Sequence, residues 1–339
     1  MNNSTGIIYQ NTGLRSRGRL ASYHNSPSPN FINKTPFNVD LRGLKPSEKR
    51  RLIRFDNSDN SFNSRYCVGF EIEKTYFTRN SYENRGDTVG ELALFKGFEL
   101  DSSCGVEAIT HILPLMSRGV WRNKVFNMFH QAKHILEDEF SPSNTDCGGH
   151  ITLSAHGLTS TQLFEKVRKY SGLIMSLYRL RLVNGYVKYN MTMQSTGTNW
   201  INGQHCTHGE IETGYHSKYC FCKIGDNGTI EFRVPPRVQS VKQLMRRYEL
   251  FFELIDCAVS EVPYSVFLNR VRPIIARMYP SVGVLNQQEK VDSIIRDSRK
   301  FQKFIDTNGE RTCALTDMFI QCNTQERCNA RRDYISTNR

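Results

Sequence analysis

The chain contains the segment CVGFEIEKTYF at residues 67–77, in which polar and apolar side chains alternate. Many of its positions carry β-branched or aromatic residues, which favour extended structure. Side chains two positions apart on a strand share one face of the sheet. We therefore predict a strand with Glu71 and Glu73 on one face, opposite the apolar side chains between and before them.

Three further segments have the same layout, with acidic, histidine or arginine side chains on one face and apolar side chains on the other. These segments are FELDSS (98–103), GHITLS (149–154) and TIEFRV (229–234). Their polar positions include Asp101, His150, Thr152, Glu231 and Arg233. Four predicted strands thus share one layout, a polar face backed by an apolar face.

Longer segments with apolar residues at helical spacing lie between and after these strands. We predict helices at 121–139, from Thr159 or Ser160 to about residue 182, at 241–258 behind a Ser240 cap, at 263–279 and at 287–305. This interspersion favours an α+β fold with a mostly antiparallel sheet and helices on its apolar face. Because other residues define the apolar face of the helix at 241–258, we expect Arg246 and Arg247 on a solvated face.

The composition of the 339 residues limits the classes of protein to which the chain can belong. The hydrophobic fraction of 38% permits a sizeable core, and no apolar run reaches the ~18 residues that a membrane span needs. The start MNNSTGIIYQ lacks the charged and apolar stretches of a secretory signal. We therefore expect a cytoplasmic protein with reduced cysteines.

The ten cysteines admit one alternative to ordinary thiols, a zinc site. The candidate ligands, all between residues 205 and 222, are Cys206, Cys220, Cys222, His205, His208 and His216. The Cys-x-Cys pair at 220 and 222 departs from the Cys-x-x-Cys spacing of common zinc knuckles, so we favour ordinary thiols.

More than half of the net charge of +12 lies in residues 1–65, which carry eleven Lys or Arg against four Asp or Glu. This excess could attract nucleic acid, but we favour a solvated, flexible basic leader, since such arms are common. We expect a catalytic domain at 66–310 and a polar tail at 311–339. The polar, His-rich segment 191–218 would be a lid over the site or an ordinary insertion.

The polar face of the predicted sheet collects carboxylates, and like charges side by side repel unless a cation lies among them. A sheet with one face in water explains the alternation but not this choice of residues. Carboxylate oxygens are preferred ligands of Mg²⁺ and Mn²⁺. The pattern alone leaves two interpretations open, a solvated surface and a divalent-metal site.

Five motifs resemble, in the same order, those of the amidoligase family, a branch of the glutamine-synthetase-like carboxylate–amine ligases. They are VGFEIE (68–73), ELDSSCGVEAIT (99–110), CGGHITLS (147–154), RLVNGY (181–186) and KYCFCKIGDNGTIEFRV (218–234). Each motif alone is weakly specific, whereas all five in order are fairly specific, and the resemblance covers over half of the chain. It implies a glutamine-synthetase-like catalytic domain whose antiparallel sheet lines an open, funnel-shaped ATP site.

The resemblance also implies how the acidic residues and the histidine would bind metal. Glu71 and Glu73 would hold the Mg²⁺ or Mn²⁺ ions that bridge the ATP phosphates. Glu107 would complete one metal shell, whereas His150 and Glu231 would serve a second ion or the phosphate side of ATP.

Four further residues receive roles from the same resemblance. Arg233 would bind the γ-phosphate as it leaves, and Asp101 would help to bind metal or the incoming amine. Arg181 and Lys223 would contact phosphate or carboxylate groups.

The implied activity is the ATP-dependent joining of a carboxylate to an amine. ATP would convert the carboxylate to an acyl phosphate, and the amine would attack it to give an amide or isopeptide bond. The substrates would be small molecules, peptides or proteins, with no membrane partner. Two alternatives stay open: a catalytically inactive interaction or structural protein on the same fold, and a metal-dependent phosphoryl-transfer enzyme acting on nucleic acid.

Overall fold

The protein is described by a computed structural model in which helices and strands are interspersed along the chain. It describes residues 52–54, 62–74, 94–101, 105–110, 112–137, 147–179, 181, 199–201, 204–206, 221–224, 228–279 and 286–308. The strands are β1 (Leu52–Arg54), β2 (Phe62–Ser64), β3 (Tyr66–Lys74), β4 (Phe95–Asp101), β5 (Gly105–Thr110), β6 (Leu113–Pro114), β7 (Ile151–Ala155), β8 (Asn199–Ile201), β9 (Gln204–Cys206), β10 (Cys222–Ile224) and β11 (Thr229–Phe232). The helices are α1 (Val120–Gln131), α2 (Lys133–Leu136), α3 (Ser160–Arg168), α4 (Gly172–Leu177), α5 (Val241–Val259), α6 (Tyr264–Met278) and α7 (Gln287–Asn308). The predicted α+β class is confirmed.

The largest sheet contains seven strands, and each pairing within it is antiparallel. Six of the strands follow the order β10-β11-β7-β3-β5-β4. Strand β3 is central because it pairs with β7 along one edge and with two strands along the other. On that second edge, the first half of β3 pairs with β6 and the second half pairs with β5. The strands predicted at 67–77, 98–103, 149–154 and 229–234 correspond to β3, β4, β7 and β11.

Strand β3 pairs with β5 and β6 in registers that differ by one residue. At the junction, the side chain of Thr110 takes the place of a backbone acceptor, since the Phe70 N–H donates to its Oγ1 at 2.9 Å. Both residues are buried, so this bond satisfies an N–H group that water does not reach. The same edge of β3 therefore stays paired after β5 ends.

The apolar face of the sheet packs against helices. Phe70 of β3 meets Phe129 of α1 edge-on with ring centroids 5.9 Å apart. Phe232 of β11 meets Phe251 of α5 in the same way at 5.1 Å. All four rings are buried, and each contributes roughly 1.5–3 kcal/mol to folding. The prediction that helices cover the apolar face is confirmed.

Side-chain caps fix the starts of two helices where the sequence predicts them. Thr159 forms a full capping box at the start of α3, and the Ser240 hydroxyl accepts from the Gln243 N–H at the start of α5. Oε1 of Glu137 accepts from the Val241 N–H at 3.0 Å, which satisfies another free donor of α5. These caps hold α5 at one position along the sheet.

The helix predicted from residue 159 to about residue 182 is divided into α3 and α4. The Tyr170 N–H donates to the Val167 carbonyl, a tight turn that ends α3. Gly172 then begins α4 directly against α7, where a Cβ atom would lie 2.6 Å from the carbonyl oxygen of Ser298. The division lets α4 lie close against α7. The helix predicted at 121–139 is likewise divided, into α1 and α2, at Ala132.

The expectation that Arg247 is solvated is wrong. Its side chain is fully buried, because it lies on the same face of α5 as several apolar residues. The guanidinium Nη2 donates to the Arg237 carbonyl at 3.2 Å, and a Cβ atom at Gly149 would lie 2.5 Å from Nη1. Arg247 therefore connects α5 to the segment just before β7 and to the segment just after β11.

Several predicted segments lie partly or wholly outside the described residues. The antiparallel pair β1–β2 falls within the predicted leader and the pair β8–β9 within 191–218, whereas 1–51 and 309–339 are not described. Among the helices that the structure does describe, none is both long and apolar enough to cross a lipid bilayer.

Candidate metal centre

Glu71 and Glu73 lie on the polar face of β3, beside the residues that lead into β7. The Glu71 N–H donates to the His150 carbonyl at 3.0 Å, and the Glu73 N–H donates to the Gly148 carbonyl at 3.3 Å. The antiparallel pairing therefore continues past the first residue of β7. It sets His150 directly opposite Glu71, and residues opposite one another share a face.

The imidazole of His150 is surrounded by three carboxylates. Its Nδ1 lies 2.9 Å from Oε2 of Glu71 and 3.6 Å from Oε1 of Glu231. Its Nε2 lies 3.3 Å from Oε1 of Glu73. A neutral imidazole has one N–H and cannot donate on both sides. The geometry suits an imidazolium, or an imidazole that binds a cation through one nitrogen.

Glu231 connects this histidine to Arg233 at the end of β11. Nη1 of Arg233 donates to Oε1 of Glu231, the oxygen that also faces His150. Lys223 of β10 is directly opposite Glu231 in the register and is half-buried. The side of the sheet towards β10 thus supplies the positive charge that borders the acidic residues.

The carboxylates and the imidazole are removed from water. Glu71, Glu73, His150 and Glu231 are only 3–4% exposed. These four side chains bring three carboxylates against one imidazole. Buried charge of one sign is strongly unfavourable unless a cation compensates it.

The predicted open, funnel-shaped site depends on segments outside the described residues and stays a prediction. The carboxylates of Glu71 and Glu73 point at the imidazole, and that of Glu231 also meets Arg233. The acids therefore contact one another's partners within the sheet face rather than standing free in solvent. The sequence pattern shows which residues share a face but not whether that face is covered.

Two glycines before His150 make room for this arrangement. A Cβ atom at Gly148 would lie 2.4 Å from Nε2 of His150, well inside contact distance. The Gly148 N–H donates to Oε2 of Glu73 at 2.5 Å, so the residue also orients one of the acids. A Cβ atom at Gly149 would lie 2.3 Å from the Pro236 carbonyl oxygen. The alternation of polar and apolar residues does not reveal this requirement, for which the Gly-Gly pair directly before His150 is the sequence signal.

A row of glutamates extends from Glu73 towards the edge of the sheet. Glu107 of β5 is directly opposite Glu73, and position 99 of β4 is directly opposite Glu107. Glu107 is half-buried, whereas the side chain at 99 is outside those described. The segment containing Glu107 was not predicted as a strand. As β5, it brings Glu107 beside Glu73 of β3, and the metal-binding role of Glu107 stays a prediction.

The structure gives less detail about the other predicted site residues. Asp101 ends β4 opposite Gly105, and its side chain is not among those described. Arg181 is buried directly after α4, where its N–H donates to the Tyr178 carbonyl. Of the zinc candidates, Cys222 is buried in β10, while the remaining side chains lie outside the described set. The roles of these residues stay predictions.

The donor atoms of Glu71, His150 and Glu231 fit one divalent cation. One ligand atom from each lies within 4.8 Å of the others. Opposite ligands of an ion with bonds of about 2.1 Å lie about 4.2 Å apart, so small side-chain shifts would complete the set. Two carboxylates suit Mg²⁺ or Mn²⁺, and the imidazole favours Mn²⁺ of these two.

Compared with models of known protein families and with curated proteins, the chain gives no match. The resemblance to the amidoligase family therefore rests on the five motifs, and membership of that family stays a prediction.

Proposed function

We propose that the chain is an ATP-dependent carboxylate–amine ligase with a glutamine-synthetase-like catalytic domain that uses Mg²⁺ or Mn²⁺. The observation that carries the proposal is the convergence of Glu71, Glu73 and Glu231 on His150. A solvated sheet surface does not require three acids to meet one buried imidazole. Carboxylates and an imidazole grouped in this way offer ligands for a divalent cation, which in turn can bind the phosphates of ATP.

The residues divide into two potential metal-binding groups. Glu71, His150 and Glu231 would hold one ion, and Glu73 with Glu107 would contribute to a second. Bound ions of this kind neutralise the charge that develops on a transferring phosphoryl group. The three buried carboxylates provide the electrostatic reason for such ions to bind.

Arg233 is suited to contact phosphate beside these groups. Its side chain is 17% exposed, so part of the side chain reaches solvent while Nη1 contacts Glu231. A guanidinium offers planar paired donors that match phosphoryl oxygens. Arg233 would thus bind the γ-phosphate side of ATP, while its bond to Glu231 fixes its orientation.

A carboxylate is also needed to accept the proton of the attacking amine. Asp101 ends β4, on the far side of the glutamate row from His150. In this proposal Asp101 accepts that proton as general base. The carboxylate and amine substrates would be small molecules, peptides or proteins.

Calorimetric titration with a non-hydrolysable ATP analogue tests the proposal. We expect binding in Mn²⁺ or Mg²⁺ and none in EDTA. Nucleotide binding that does not depend on metal, or no binding at all, would favour an inactive protein on this fold. Strand cleavage of nucleic acid without ATP would favour the nuclease alternative.

Turnover gives a second, residue-level test. ADP release should be screened against a panel of amines and carboxylates, and then in Glu73→Gln and Arg233→Ala. Glu73→Gln keeps an oxygen that can accept from the Gly148 N–H, so it removes charge with little change of shape. We expect both variants to lose turnover, whereas Glu165→Gln, on the exposed side of α3, should keep it. Full turnover in either site variant would contradict the assignment.

A further inference from the structure

A second charged cluster lies on the helical side of the sheet, around Glu249 of α5. Its Oε1 lies 3.2 Å from Nη2 of Arg122 in α1. Its Oε2 lies 3.0 Å from Nη1 of Arg246 and 2.8 Å from Nη2 of Arg277 in α6. Three guanidinium groups from three helices thus converge on one carboxylate, which we call the Glu249 cluster.

The Glu249 cluster has two positive charges in excess. Glu249 is the single carboxylate that the three arginines share in these pairs. Elsewhere on these helices the charges balance more closely: Arg272 pairs with Asp292, and Arg270 faces two carboxylates. Arg246 and Arg277 contact the same oxygen of Glu249, so one carboxylate only partly offsets the repulsion between their like charges, and a further anion would offset the rest.

One of these arginines, Arg122, lies in the first turn of α1. Nη1 of Arg122 donates to the Ser117 carbonyl at 2.6 Å, which holds its guanidinium beside the first turn of the helix. That turn has no side-chain cap and no acidic residue. Within the described part of the chain, the buried Nε of Arg122 also has no acceptor. Free N–H groups and arginines together favour a phosphate-type anion.

We propose that the Glu249 cluster is a binding site for a small phosphate-bearing ligand. Arg277 is 43% exposed at its side chain, so the cluster is open to solvent on that side. Glu249 holds the three guanidinium groups together, and the phosphate oxygens accept from those of Arg246 and Arg277. The site is independent of the metal centre, which lies on the other face of the sheet.

The test is calorimetric titration of the full chain with inorganic phosphate at low ionic strength in EDTA. EDTA prevents phosphate from binding through metal. We expect the wild-type chain to bind phosphate and the double variant Arg246→Gln/Arg277→Gln to bind it at least about tenfold more weakly. The double variant keeps the Arg122–Glu249 pair, so the buried carboxylate retains a cation.

Arg272→Gln is the matched control. Arg272 lies on the same helix as Arg277, is 40% exposed at its side chain and pairs one-to-one with Asp292. Its removal should leave phosphate affinity unchanged within about twofold. The proposal is overturned if the wild-type chain binds no phosphate, if the double variant binds it equally well, or if Arg272→Gln weakens binding as much.

Discussion

Gly148 leaves the space that the imidazole of His150 occupies: a Cβ atom at position 148 would lie 2.4 Å from Nε2 and 2.9 Å from Cδ2. The same Cβ atom would lie 3.4 Å from Oε1 of Glu73. The orientation of the histidine towards its three carboxylates therefore depends on the residue two positions before it.

We predict that Gly148→Ala displaces His150 and weakens Mn²⁺ binding by about tenfold or more. The methyl group meets the ring of a side chain, which can turn away, so the thermal unfolding midpoint should fall by only a few degrees. Manganese titration and a thermal melt of the same sample measure both effects. Unchanged metal affinity would contradict this role of Gly148.

Gly149→Ala should instead reduce stability more than it reduces metal binding. Its new methyl group would lie 2.3 Å from the backbone oxygen of Pro236, which cannot move without shifting the chain after β11. We expect a loss of stability of roughly 1–3 kcal/mol, as for overpacked cores. Chemical denaturation should show Gly149→Ala to be less stable than Gly148→Ala.

Divalent metal should stabilise the folded chain. An ion that binds only the native state adds about 2.7 kcal/mol when its concentration is a hundredfold above the dissociation constant. We expect Mn²⁺ to raise the unfolding midpoint of the wild-type chain, and Glu71→Gln to remove most of this shift. Glu165→Gln should retain the shift in full, and its loss there would show that the stabilisation comes from another site.

Tyr248→Phe should destabilise the contact between α5 and the chain after β6. The Tyr248 hydroxyl accepts from the Met116 N–H at 2.9 Å and donates to the Pro114 carbonyl. Burial raises the pKa of Tyr248 above its ordinary value, so the hydroxyl stays protonated as a donor. Loss of this hydroxyl leaves two buried backbone groups without partners and should cost roughly 1–3 kcal/mol in urea denaturation.

Tyr170→Phe is the control for this prediction. The Tyr170 hydroxyl donates to the Val262 carbonyl at a partly buried position, where water can replace it. A smaller loss of stability is expected. Equal losses in the two variants would show that burial of the backbone groups is not the cause.

Alkaline pH should destabilise the protein partly through Cys257. Burial raises the pKa of its thiol from 9.0 to about 12. The unfolded chain loses this proton near pH 9 while the folded chain keeps it, so the free energy of unfolding falls as the pH rises from 9 to 12. Cys257→Ala should show a shallower decline over this range, and parallel curves for the two proteins would contradict the prediction.

The sequence predicts well those parts of the fold in which the alternation is unbroken. In β3, β7 and β11 the polar and apolar positions alternate along each strand, and all three are found near their predicted positions. Strand β5 was missed because its alternation is mixed. Ile109 falls on the same face as Glu107, while Thr110 lies on the other and bonds the Phe70 N–H.

The partners within the candidate metal centre could not be predicted from local pattern. The motifs group Glu71 with Glu73 and His150 with Glu231, whereas the structure brings Glu71, His150 and Glu231 together. Which acid meets the imidazole depends on the register between strands far apart in the chain.

Burial of Arg247, by contrast, has a local signal, since Leu244, Leu250 and Phe251 lie three or four positions from it on one face of α5. Arg246 has Gln243 and Glu249 three positions away on either side.

The order of strands in the sheet also has a consequence during synthesis. Glu71 and Glu231 are 160 positions apart in the chain, and β11 can pair with β7, the neighbour of β3, only after β11 itself has been translated. At 5–20 residues per second, roughly 8–32 seconds pass between the two glutamates. A ribosome-bound chain that ends before β11 has no complete ligand set, so we expect cofactor loading to follow translation of residue 233.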